Sequence, residues 1–135
     1  MKWQKKAIIF IVVIILFWAI SQVWTTTVAN EEVPLKAGDY IYYRVDDPAS
    51  FIKISIEADK PVDIYVLDEE NFKLFQNNQL SQVRYYAGPS RENVYSLDIK
   101  WHVPKSGTYY IIIHSRSMLT TTKVKVHIEK NIISL

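Results

Sequence analysis

Three histidines, His102, His114 and His127, stand twelve and thirteen residues apart, each in a different alternating run of the chain. Imidazole is the side chain suited to proton transfer near neutrality and to metal ligation, so these residues are the first candidates for chemistry. None has a second ligand at the close spacing of a zinc site, and solvent-facing positions on three strands explain them equally well. Covalent catalysis needs a nucleophile, a base and a group that orients the base. Cysteine is absent, which closes the thiolate routes, and the chain contains no nucleophile elbow, phosphate loop or zinc-helix motif. The acidic groups Asp46 and Asp47, Asp59 and Asp63, and Asp68-Glu69-Glu70-Asn71 fall in or beside turns. Loop carboxylates can serve Ca²⁺, which takes six to eight oxygens, but these are also ordinary turn residues, and none matches a defined calcium loop. The expectation is a chain that is not an enzyme, with no cofactor and no assigned metal ligand.

Nine tyrosines and four tryptophans offer a different chemistry, because flat amphipathic rings give contact area at low entropic cost. Tyr95 and Trp101 fall on the apolar side of their run and are expected in the core. Tyr40, Tyr42 and Arg44 share the face opposite Ile41, Tyr43 and Val45, while Arg84, Tyr85 and Tyr86 adjoin the Gly88-Pro89 turn. These six residues, Tyr40, Tyr42, Arg44, Arg84, Tyr85 and Tyr86, are the candidate ligand-binding set.

The elements that must position them follow from period-two patterning after Val33. Expected strands are Tyr40 to Val45, Phe51 to Glu57, Val62 to Asp68, Phe72 to Phe75, Val83 to Ala87, Val94 to Val103, Thr108 to Ser115 and Thr121 to Glu129. Ile52, Ile54 and Ile56 oppose Lys53 and Ser55. Leu97, Ile99 and Trp101 oppose Asp98 and Lys100, and Val124, Val126 and Ile128 oppose Lys123, Lys125 and His127. One-sided strands of this kind build antiparallel sheets with one wet face. The run Tyr109 to Ile113 is apolar on both faces, as for a central strand covered on each side. Turn residues at Lys36-Ala37-Gly38-Asp39, Asp46-Asp47-Pro48, Asp59-Lys60-Pro61, Gly88-Pro89-Ser90 and Pro104 to Gly107 break the runs about every ten residues. The fold expected is all-β, an antiparallel jelly-roll-like β-sandwich of about eight strands.

Before that domain the chain is of another kind. Ala7 to Ile20 contains no polar side chain, and no charge occurs from Ala7 to Asn30. The eighteen residues Ala7 to Trp24 would make roughly 27 Å of helix, close to the hydrocarbon thickness of a bilayer. Lys2, Lys5 and Lys6 precede the run and Glu31 and Glu32 follow it, which places the N-terminus in the cytoplasm and the sandwich outside. Thr27-Val28-Ala29 would also suit a signal-peptidase site, so residues 1–30 are read as a basic start plus a transmembrane or signal helix. The length of the run and the interfacial residues Trp18 and Trp24 favour an uncleaved anchor; cleavage would make the protein secreted. Residues 31–135 form the extracytoplasmic domain, with Thr25 to Val33 as a short linker. Without the three leading lysines, 13 basic residues face 14 acidic ones, and a nearly neutral domain lacks the basic stripe that nucleic acid requires.

The stretches Leu35 to Tyr40, Lys60 to Leu67 and Val103-Pro104-Lys105-Ser106-Gly107-Thr108-Tyr109-Tyr110-Ile111 resemble two related groups over about residues 35 to 129. One is the pre-peptidase C-terminal type sandwich of secreted prokaryotic proteins, the other the GOLD domain of membrane-anchored trafficking proteins. The resemblance implies a jelly-roll-like sandwich and a non-catalytic role in protein or glycan interaction. Residues 7–24 would hold the membrane, and an envelope protein or glycan would be the partner. Two other readings stay open: an accessory subunit held in a membrane complex through its helix, and a hydrolase with a site in the strand-end loops.

Overall fold

The computed structural model describes residues 25–132; the apolar run Ala7 to Trp24 lies outside them, and among the described residues no helix is long and apolar enough to cross a membrane. Six strands form one curled antiparallel sheet: β1 (Thr25–Leu35), β2 (Tyr40–Val45), β3 (Phe51–Asp68), β4 (Arg91–His102), β5 (Tyr109–Ser115) and β6 (Thr122–Asn131). A helix, α1 (Glu69–Gln76), and a 3-10 turn at Leu80–Gln82 lie between β3 and β4.

The 18-residue strand β3 organises the sheet. Its first half pairs β6 on one side and β4 on the other, with Ile54 opposite both Ile128 and Ile99. Its second half pairs β5, with Ile64 opposite Ile113. Two separate strands joined by a turn at Asp59-Lys60-Pro61 were expected here. The chain instead runs on as one strand: pairing with β6 ends at Ala58, pairing with β5 begins at Val62, and the register with β4 lapses between Glu57 and Val62. Pro61 brings no N–H to a ladder, and the flanking groups find other partners: Asp59 accepts from the Lys123 N–H, and the Lys60 ammonium donates to the Thr121 carbonyl, both at 2.8 Å.

In both halves of β3, from Ile52 to Ile56 and from Val62 to Val66, the even-numbered side chains face inward. Ile52, Ile54, Ile56, Val62, Ile64 and Val66 join Leu97, Ile111, Ile113, Val124 and Ile128 in one buried core between a β1-β6-β3-β4 layer and a β3-β5-β2 layer. At the margin between the layers the Tyr43 hydroxyl donates to Glu31 Oε1 at 2.6 Å. Burial and that carboxylate push the Tyr43 phenol well above its usual value.

Several expectations are corrected. Residues 25–33 are no linker: they belong to β1, which pairs β6 from Thr25↔Asn131 to Leu35↔Thr122. An edge strand needs no apolar alternation when a neighbour supplies its backbone partners, and most of β1 is exposed. Phe72 to Phe75 is helical, because Asp68 caps the helix by accepting from the Asn71 N–H at 2.8 Å, and Glu69 and Glu70 occupy the first turn. Val83 to Ala87 is an irregular strap with one backbone bond to β3, from the Tyr86 N–H to the Val66 carbonyl. Tyr95 is 59% exposed rather than in the core: it stands beside the stretch of β3 where pairing lapses. The expected eight strands are thus six among the described residues. The buried run Tyr109–Ile113 is covered on both sides, as its composition requires.

Candidate functional site

What covers the second side of β5 is the helix and strap, and the site lies under their edge. On the outer face of the β3-β5-β2 layer the register sets three rows: Asp63, His114 and Tyr40; Tyr65, Ile112 and Tyr42; Leu67, Tyr110 and Arg44. Phe72 of α1 stacks flat on Tyr110, with ring centroids 3.8 Å apart, and pins the helix over β5. Phe72, Leu67, Tyr110 and Ile112 form a second buried cluster, separate from the main core. The Arg84 N–H donates to Asn71 Oδ1 at 2.7 Å, tying the strap to the helix start.

Between helix and strap a groove of about 360 Å³ remains open. Leu67, Ile112 and Tyr65 form its floor; Phe75 and Leu80 wall one side, and Val83 and Tyr85 the other. The Tyr65 and Tyr85 rings meet at 5.0 Å with a 55° tilt. The Tyr65 hydroxyl donates to Glu92 Oε1 at 2.9 Å, and burial with that bond raises its pKa far above the usual phenol value.

Asp63 and His114 close one end of the groove. The Asp63 side chain is only 8% exposed. Its Oδ1 accepts from Arg116 Nη1 and from the Asn93 N–H, both at 2.9 Å, and its Oδ2 lies 3.4 Å from His114 Nδ1. Burial alone would raise this carboxyl, but the bonds from Arg116, Asn93 and His114 outweigh it and hold Asp63 below the usual aspartate value. A buried carboxylate with three donors is satisfied, so it shapes the groove's end without demanding a further cation.

The six residues singled out by sequence divide around α1. Tyr40 and Tyr42 lie against its β2 side, 5.0 Å from Phe75 and 4.8 Å from Phe72. Arg44 pairs with Asp46 at 2.6 Å. Tyr85 lies across the helix, on the groove wall and 47% exposed. Arg84 flanks it, while Tyr86 turns the other way, packing 5.0 Å from Trp101 and 5.8 Å from Tyr109 in the main core. The structure therefore brings Tyr85 alone of the six into the groove. In the sequence Asp63 stands out only as a member of an acidic pair and His114 only as one of three histidines. The signal that could have joined them to Tyr65 and Ile112 was the odd parity of Asp63-Tyr65-Leu67 beside the even parity of Tyr110-Ile112-His114.

The three histidines stay apart: His102 packs on Phe51, ring centroids 4.9 Å apart, and His127 Nε2 lies 2.7 Å from Glu129 Oε1. Among the described residues no three His, Asp or Glu side chains come together as a metal site.

No family model matches the chain, and no curated protein matches it. Similar solved structures include a de novo designed double-stranded β-helix, with 12% identity and a TM-score of 0.46 over 74% of this chain and 97% of that one. The pre-peptidase C-terminal domain of a collagenase from Bacillus anthracis shares 17% identity and a TM-score of 0.46, over 73% of this chain and 87% of its own. A family 29 carbohydrate-binding module shares 7% identity and a TM-score of 0.42, over 77% and 83%. Likenesses at this level say nothing about ligand or activity.

Proposed function

We propose that this protein is a membrane-anchored, non-catalytic binding module whose sheet domain works outside the cytoplasm and holds a protein or glycan partner in the groove beside Tyr85. The groove is the observation that carries this reading. A concave, mainly apolar site of a few hundred Å³ with a few fixed polar groups is the usual form of a binding site. Leu80 and Tyr85 stand exposed at its rim, where an apolar partner would cover them. Membrane attachment rests on the apolar run Ala7 to Trp24, and orientation on Lys2, Lys5 and Lys6 before it. A polypeptide with apolar side chains fits better than a sugar. Each sugar hydroxyl taken from water needs a partner, whereas most of the groove's lining, Leu67, Phe75, Leu80, Val83 and Ile112, offers none.

The test uses the full chain in nanodiscs and ligand-observed saturation-transfer NMR. Its probes are capped tripeptides with a central Leu, Phe or Trp and neutral oligosaccharides of the same length. Transfer to an apolar tripeptide that is abolished by Val83→Trp, which fills the groove, supports the reading. Transfer unchanged by Val83→Trp, or confined to no probe, overturns it.

A further inference from the structure

Strand β4 has a partner on one side only: its ladder runs to β3, and among the described residues no strand pairs its other edge. Twelve residues long, without Pro or Gly, it is the kind of edge on which another strand can add. Charged side chains usually guard such edges, but here the two charges at its centre, Asp98 and Lys100, are opposite in sign and flank Ile99 symmetrically. Neither has an ion-pair partner among the described residues. Asp98 accepts from the Ser55 hydroxyl at 3.0 Å, and Lys100, directly opposite Lys53, has its ammonium 4.6 Å over the Phe51 ring. Like charges directly opposite on a sheet are unfavourable, so Lys100 lacks a counter-charge.

We infer that β4 pairs antiparallel with β4 of a second copy about a two-fold axis at Ile99. In that register Asp98 of each copy stands opposite Lys100 of the other, Ile99 meets Ile99, and Leu97 meets Trp101. Ser96 stands opposite His102. An isologous contact repeats every favourable pair, so one strand supplies two opposite-charge pairs and extends the sheet across both molecules. A one-residue slip would lose both ion pairs and set side chains of the core face against those of the wet face. The groove's lining includes no residue of β4, so this inference does not rest on the binding reading.

The absence of cysteine makes the register directly readable. Full-length Ser96→Cys and His102→Cys variants, mixed in nanodiscs holding two copies and treated with a short thiol crosslinker, give a heterodimer, and each variant alone gives little. Adding Asp98→Lys to both lowers the yield roughly tenfold by placing like charges opposite each other twice. Adding Lys100→Asp as well restores it. Crosslinking of either variant alone as strong as in the mixture, no crosslinking in the mixture, or a yield indifferent to charge reversal would overturn the two-fold pairing.

Discussion

The two outer faces of the sandwich are built by the same strand with the same parity, yet they have opposite chemistry. Before Asp59 the outward residues of β3 are Lys53, Ser55 and Glu57, joined by Asp98 and Lys100 from β4 and by Lys125, His127 and Glu129 from β6. After Pro61 they are Asp63, Tyr65 and Leu67, joined by Tyr110 and Ile112 from β5. The first face is polar and bare. The second is apolar and carries α1 and the strap. Alternation fixes which residues point outward, but what stands over them decides whether they are wet, and the incomplete cover on the second face is what leaves a groove.

The contrast breaks most sharply at Phe72. It is 4% exposed and stacked on Tyr110, so Phe72→Ala removes both buried area and the contact that seats α1. A loss of about 3–5 kcal/mol is expected, the range for deleting a buried aromatic ring. Urea denaturation of the full chain in detergent would measure it, and a loss below about 1 kcal/mol would mean that the helix does not depend on this pin.

Asp63 gives the next largest effect, because its carboxylate joins β3 to β4 through Asn93, to β5 through His114 and to the chain just beyond β5 through Arg116. Asp63→Ala strands a backbone N–H and should cost about 2 kcal/mol. The wild-type carboxyl is held below its ordinary value of 3.8. Its contribution is therefore complete above that value and fades as pH falls through the depressed one. Stability measured from pH 6 down to 2 should thus converge for wild type and variant. A constant gap across that range would contradict the charge-based account.

Legibility in the sequence follows the same division. Strands with one wet face, such as the expected runs Phe51 to Glu57 and Thr121 to Glu129, announce themselves through alternation, the second extending to Asn131 in the structure, and β2 has the expected bounds, Tyr40 to Val45. The segment 69–90 does not. Phe72 and Phe75 read as readily in a short strand as on a helix face, and in the structure the Asp68 cap together with the waiting surface of Tyr110 makes them helical. Polar β1 was opaque for a related reason: it pairs with β6 along its length, and Leu35 is the one fully buried side chain it supplies. The groove was half visible, since Tyr85 stood out by type, while Asp63 and His114 become neighbours only through the β3-β5 register.

The helix cap tests the covered face more gently. Asp68 Oδ1 accepts from both the backbone N–H and the side-chain amide of Asn71, at 2.8 Å each, and Asn71 in turn accepts from the Arg84 N–H. Asp68→Ala should cost about 1 kcal/mol, the usual worth of a capping side chain, and speed amide exchange in 69–76 and at Arg84 together. Lys53→Ala, on the bare face, should stay within about 0.5 kcal/mol of wild type, since Lys53 stands opposite Lys100 on one side and Glu129 on the other and the two charges largely offset. If Lys53→Ala proved as costly as Asp68→Ala, the outer side chains of the first layer would be structural, and the difference between the faces could not be one of cover alone.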